Sequence, residues 1–232
     1  MAAGGGLPHP LIYMDLLRNA LGLHGDWAYY VMHTWMVMII LFTLAFLVRG
    51  RLQMVPGGLQ NVFEMVIGGL EDFVVSNIGE EGRRVYPMLI TLFLYILFSN
   101  YMGLIPGCDA PTANINTIIP LAVTLFLYYN FHGIRKWGFG YIKHFMGPVA
   151  AMAPLMLILE LISHFARPLS LTLRLFGNIR GEEIVLVLLF FLAPVFSTIP
   201  MYFLFLLAKS IQAFIFFMLG TIYLQGALDH AH

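Results

Sequence analysis

The chain has 232 residues, 60% of them hydrophobic and only 10% charged, with 20 Phe. This excludes an ordinary soluble domain and indicates an integral membrane protein. Lys+Arg 12 balance Asp+Glu 12, so no basic surface for nucleic acid is expected, and the single cysteine, Cys108, leaves no internal disulfide.

Residues 1–26 read as a short polar, external lead. Their glycines and prolines lack the basic start and apolar run of a cleavable signal peptide. Residues 27–48 form the first expected span, with Trp27, Tyr29 and Tyr30 at one interface and Arg49 and Arg51 beyond the other end. Residues 55–78 differ. Apolar positions recur at three- and four-residue intervals with Gln60, Asn61, Glu64, Glu71 and Asp72 between them, the pattern of an amphipathic helix on the membrane surface. Further spans are expected at 86–105 and 115–131, the latter short and containing Pro120. A long fourth span covers 149–178 and a fifth 198–224, with Pro194 and Pro200 breaking or bending the return between them. Residues 229–232 form a polar tail, where Asp229, His230 and His232 suggest a flexible terminus more than a metal site.

The fold class is therefore all-α: a polytopic membrane protein of five transmembrane helices, the last two long, plus one amphipathic helix. Placing Arg49, Arg51, Arg83, Arg84, Arg135, Lys136 and Lys143 inside satisfies the positive-inside rule. The N-terminus is then external, and the amphipathic helix and C-terminus are cytoplasmic. No glycine-rich phosphate loop and no cluster of metal-ligand spacing occurs, so no catalytic residue, cofactor or metal is assigned.

The polar residues that matter lie on the last two spans. Glu160, Arg167 and Arg174 stand seven residues apart, almost two turns each, so they form one stripe on a continuous helix. Ser163 and Ser170 lie close to it, Asn178 extends it, and Leu159, Leu161, Leu169, Leu173 and Phe176 occupy the other side. A charged stripe at membrane depth needs a partner, another helix or water. Arg174 is the strongest signal, because it lies far from either helix end and a guanidinium keeps its proton. It is either paired structurally with a carboxylate or held as a fixed functional charge. Glu160 is about 21 Å from Arg174 along a straight helix, too far for a pair; the two suit different ends of one aqueous path, or else Glu160 is an interfacial carboxylate satisfied by His164 one turn away. Arg167, followed by Pro168, suits a headgroup anchor. Glu182 and Glu183 are candidate outer proton acceptors, unless Arg180 holds Glu183 in a structural pair. On the last span Gln212 suits a hydrogen bond to Asn178 or Ser170. Lys209 reads as a pathway residue or as a cytoplasmic-half lysine reaching the interface. Asn100 and Asn114 suit helix ends.

These residues give the sequence its resemblance to the subunit a family of bacterial rotary F-type ATP synthases. It rests on LSLTLRLFGNIRGEE at 169–183, SIQAFIFFMLGTIYLQGAL at 210–228, SNYMGLIPG at 99–107 and PTANINT at 111–117, in the family's order. The resemblance implies that Arg174 faces a membrane-embedded carboxylate of a rotating c-subunit ring. It further implies that Asn178 and Gln212 lie near that arginine, that Glu183 belongs to an outer half-channel and that Glu160 belongs to an inner one. Implied partners are the c-ring, the b-subunit peripheral stalk and the other F1Fo subunits, besides membrane lipid and the translocated proton. The implied location is the bacterial plasma (inner) membrane. Two departures stand out: Phe205 where some relatives carry a histidine, and Asn114 where relatives often carry Asp. They shift weight in the outer route to Glu183 and water. A secondary transporter clamping an anionic solute with Arg174 is the alternative, but the five spans contain no repeat of the kind transporters use. A purely structural scaffold leaves the charged seam unexplained.

Overall fold

The computed structural model describes residues 26–50, 57–105, 108–138, 153–192 and 198–228. Among these it contains helices and no strand: α1 (Asp26–Arg49), α2 (Gly58–Ile78), α3 (Gly82–Met102), a 3-10 turn (Pro111–Ala113), α4 (Ile115–Trp137), α5 (Ala153–Leu192) and α6 (Thr198–Leu228). All but α2 are long and apolar enough to cross a bilayer. Helices are the expected solution, since each satisfies its own backbone polar groups where no water is available.

The core is a set of helical seams. Leu89, Phe93 and Ile96 of α3 meet Ile118, Ala122, Leu125 and Tyr129 of α4, Leu171, Leu175 and Ile179 of α5, and Ala213, Phe217 and Leu224 of α6. The steps within each set are three, four or seven residues, the spacings that keep one helix face inward. Gly220 of α6 allows this closeness: a Cβ there would lie 2.9 Å from Leu89 Cδ2, inside contact distance. Helix α1 packs on α3 and the 3-10 turn through buried His33 and Val37, leaving Trp35, Ile39, Phe42 and Phe46 exposed.

Several boundaries differ from the sequence expectation. Helix α5 continues to Leu192 instead of ending at 178. Gly177 and Gly181 do not stop it, because in hydrocarbon an open backbone has no water to bond and glycine stays helical. Helix α4 continues past 131 to Trp137, with Arg135 and Lys136 in its last turn, where cations complement the helix dipole. Helix α3 starts at Gly82 and stops at Met102, not at 86 and 105. Pro200 lies in the first turn of α6, where its missing N–H costs nothing. Pro194, the tail 229–232 and residues 149–152 and 55–56 lie outside the described residues.

The amphipathic α2 is tied into the bundle. Leu70 and Val74 are buried, Phe73 lies 6.0 Å and 6.2 Å from the rings of Phe214 and Phe217, and Tyr86 Oη donates to Ile67 O at 2.6 Å. The helix closes at Gly79, whose φ of 87° suits glycine.

Candidate functional site

Helices α5 and α6 run past each other, and their polar residues meet in antiparallel order. At mid-length Asn178 Nδ2 donates to Gln212 Oε1 at 2.7 Å, one of the two bonds anticipated for Gln212. Gln212 is buried, and an amide there needs such a partner. Arg174 stands one turn before Asn178. It is half-buried, at the edge of the face that includes exposed Leu169, Ser170, Leu173 and Gly177. Among the described residues it has no hydrogen bond or ion pair. The Glu160–Arg167–Arg174 stripe thus borders the buried seam of Leu171, Leu175 and Ile179 without being covered by it.

Toward the 3-10 turn lies the densest polar cluster. Lys209 Nζ is 3.1 Å from Glu182 Oε2, with the two side chains only 5% and 15% exposed. The contact is an ion pair by distance, although Glu182 Oε2 has no well-angled hydrogen bond. This overturns the expectation of a lysine reaching an interface from the cytoplasmic half. Lys209 is buried instead beside the α3–α4 connection, where Asn100 Nδ2 makes a long 3.4 Å bond to Lys209 O. Thr112 Oγ1 donates to Asn100 Oδ1 at 2.7 Å, and Tyr101 Oη lies 2.6 Å from Ser210 Oγ. Arg180 fastens three pieces together: Nε to Ala113 O at 3.0 Å, one terminal nitrogen to Glu183 Oε2 at 2.9 Å, the other to Tyr30 Oη at 3.3 Å. The Arg180–Glu183 pair foreseen from their spacing is therefore present. Asn114 caps α4 by accepting from Asn116 N at 2.8 Å.

At the opposite end Arg167 donates to Glu160 Oε1 at 3.2 Å and lies 5.2 Å over the Tyr223 ring. Glu160 takes Arg167 as its ion-pair partner, with His164 close enough to feel its charge, and Arg167 also rests on the Tyr223 ring. His164 is buried with its Nε2 2.8 Å from Asn130 Oδ1 and its ring edge-on to Tyr129. Ser163 and Ser170 are exposed on α5. Phe205, at the departure from the usual histidine, is buried.

The structure thus groups Asn178 with Gln212, Glu182 with Lys209, and Glu160 with Arg167, and leaves Arg174 by itself between the first and last of these. Sequence reasoning missed Thr112, Tyr129 and Asn130, and read Tyr30 only as an interface residue. For Tyr129 a signal existed, since it continues the seam of Ile118, Ala122 and Leu125. Among the described residues no group of three His, Cys, Asp or Glu could hold a metal ion.

Comparison with known proteins agrees over nearly the whole chain. Residues 31–225 match the family described as ATP synthase A chain. The ATP synthase subunit a of Oleidesulfovibrio alaskensis is 63% identical over 98% of this chain and 99% of its own length. That of Nitratidesulfovibrio vulgaris is 62% identical over the same shares, and that of Syntrophobacter fumaroxidans is 48% identical over 97% and 100%. With a match of this length, and relatives this similar from end to end, the chain belongs to the ATP synthase A chain family.

Proposed function

We propose that this chain is the stator subunit a of the membrane sector of a rotary ATP synthase in a bacterial plasma membrane. It passes protons to and from c-ring carboxylates through two half-channels and makes or breaks no covalent bond itself. The observation that carries the reading is Arg174: a half-buried cation in mid-span, without a counter-charge among the described residues, bordering a face that this chain leaves open. Such a charge is costly unless a partner meets it, and a ring carboxylate has the complementary chemistry.

In this scheme protons arrive from outside near Glu182 and Glu183 and neutralise a ring carboxylate, which then faces lipid at low cost. On return it loses its proton toward the cytoplasm past Glu160. Arg174 stabilises the ionised carboxylate and separates the two routes. Asn178 and Gln212 orient the α5–α6 contact beside it, and Ser163, Ser170, His164, Arg167 and Lys209 support the seam. The transmembrane potential drives the cycle at about 2.3 kcal/mol per charge per 100 mV. The b-subunit stalk and the remaining F1Fo subunits complete the assembly.

Glu183→Gln tests the outer route. It should slow proton flux through the membrane sector after removal of the soluble sector, with the complex still assembled. Parent flux across a pH series would remove Glu183 from the path and pass its role to Glu182. Orientation, with the N-terminus outside, is tested at Cys108 in the α3–α4 connection. Burial and the neighbouring Asp109 charge push its thiol up, so little reactive thiolate exists at neutral pH. An impermeant maleimide should label Cys108 slowly at neutral pH, faster as pH rises, and only from the outer face. Labelling confined to inverted membranes would reverse the topology.

A further inference from the structure

The geometry points to a second site, outside the α5–α6 seam: a binding pocket for the phosphodiester headgroup of an anionic phospholipid. This inference goes beyond the proton pathway and rests only on the chain spanning a membrane. At the end of the bundle where α3 starts and α4 and α6 stop, an open pocket of about 440 Å³ is lined by Glu81, Arg84, His132, Arg135, Lys136 and Leu228. Its size lies in the range of small-molecule sites.

The charges in it are uneven. Lys136 Nζ is 2.6 Å from Glu81 Oε2, so these two neutralise each other. The side chains of Arg84 and Arg135 have no ion pair or hydrogen bond among the described residues. The pocket therefore holds two uncommitted guanidiniums, the group whose planar fork fits phosphate oxygens in pairs. Because these are the terminal turns of three apolar spans, the pocket sits at headgroup depth, where basic recesses between helices attract anionic lipids.

A track for an acyl chain adjoins it. Leu127, Phe131 and Ile134 of α4 are 60%, 59% and 55% exposed. Spaced by four and three residues, they form one stripe that runs along the span and ends beside Arg135. A free phosphate ion would use the guanidiniums and ignore the stripe, whereas a lipid uses both. Basic residues at helix ends ordinarily meet many headgroups loosely. A recess holding two uncommitted guanidiniums beside an apolar stripe instead predicts selective occupancy.

The test uses the assembled complex in vesicles containing trace photoactivatable phosphatidylglycerol, or the phosphatidylcholine analogue, with the reactive group in the acyl chain. Peptides covering residues 127–137 should be labelled preferentially by phosphatidylglycerol. Arg84→Gln combined with Arg135→Gln should reduce that labelling by about 30-fold, the combined attraction of two basic groups near the surface. If the double variant does not assemble, Arg135→Gln alone should reduce labelling about fivefold. Equal labelling by the two lipids, or a preference that survives the substitutions, overturns the proposal. So does protection of the site by inorganic phosphate but not by unlabelled phosphatidylglycerol, which would identify a free anion as the ligand.

Discussion

Arg174→Ala is expected to abolish ATP synthesis driven by an imposed proton-motive force while the subunit remains folded and assembled. Folding should survive because Arg174 has no partner among the described residues and the adjoining core of Leu171, Leu175 and Ile179 is untouched. Function should not survive, since on the proposed mechanism the guanidinium is the fixed charge that keeps an arriving carboxylate ionised. Loss of one preorganised group of this kind costs on the order of 100-fold in rate, and loss of the barrier between the two routes adds passive proton leak. Arg174→Lys should also perform poorly. Lysine keeps the charge, loses the planar multi-donor fork, and gives up its proton more readily when desolvated. Synthesis in proteoliposomes, with assembly checked in parallel, decides the matter: an assembled alanine variant working at the parent rate would sink the mechanism.

Lys209→Met should have the largest effect on stability. It removes the cation from a buried pair and leaves the Glu182 carboxylate, 15% exposed, without its counter-charge. Breaking a buried pair by deleting one partner costs about 3–5 kcal/mol, enough to lower the temperature at which the subunit leaves the detergent-solubilised complex. The combination Lys209→Met with Glu182→Gln should be less damaged than Lys209→Met alone, because no orphaned charge remains. If the combined variant were the worse of the two, the pair would not be the source of the loss. Asn100 offers a control: Asn100→Ala removes bonds to Thr112 and the Lys209 carbonyl but leaves both charges, so a smaller loss is expected.

Much of the fold was legible in the sequence, and for a physical reason. Apolar runs bounded by Arg49, by the GEEGRR turn and by Arg135 leave little choice of where helices cross a membrane. Continuity was harder to read. Residues 177–183 carry two glycines and three charges, a composition that in water ends helices; in α5 it does not, because Arg180 and Glu182 find partners on other elements. The same cause hid part of the site. Pairs within one helix, such as Arg180 with Glu183, follow from spacing alone. Glu182 with Lys209, or His164 with Asn130, depends on the offset between helices, which no single stretch of sequence contains. Glu160 shows a different failure: two candidates lay within reach on its own helix, and the one chosen was the cation that could also rest on the Tyr223 ring of α6.

The length of α5 has a consequence for how the protein tolerates its bilayer. Its membrane-compatible stretch, Leu155–Leu189, has 35 residues, about 52 Å if straight, against a hydrocarbon layer of roughly 30 Å. Contained in that layer, such a rod leans about 55° from the normal, whereas a span the length of α3 leans about 18°. Thinning the layer by about 3 Å would swing the short span by about 13° but the oblique one by only about 4°. The geometry thus works as a suspension. On this geometry a change in layer thickness would turn the short spans more than α5, and the Glu160–Arg174 face would keep its inclination more nearly than they do.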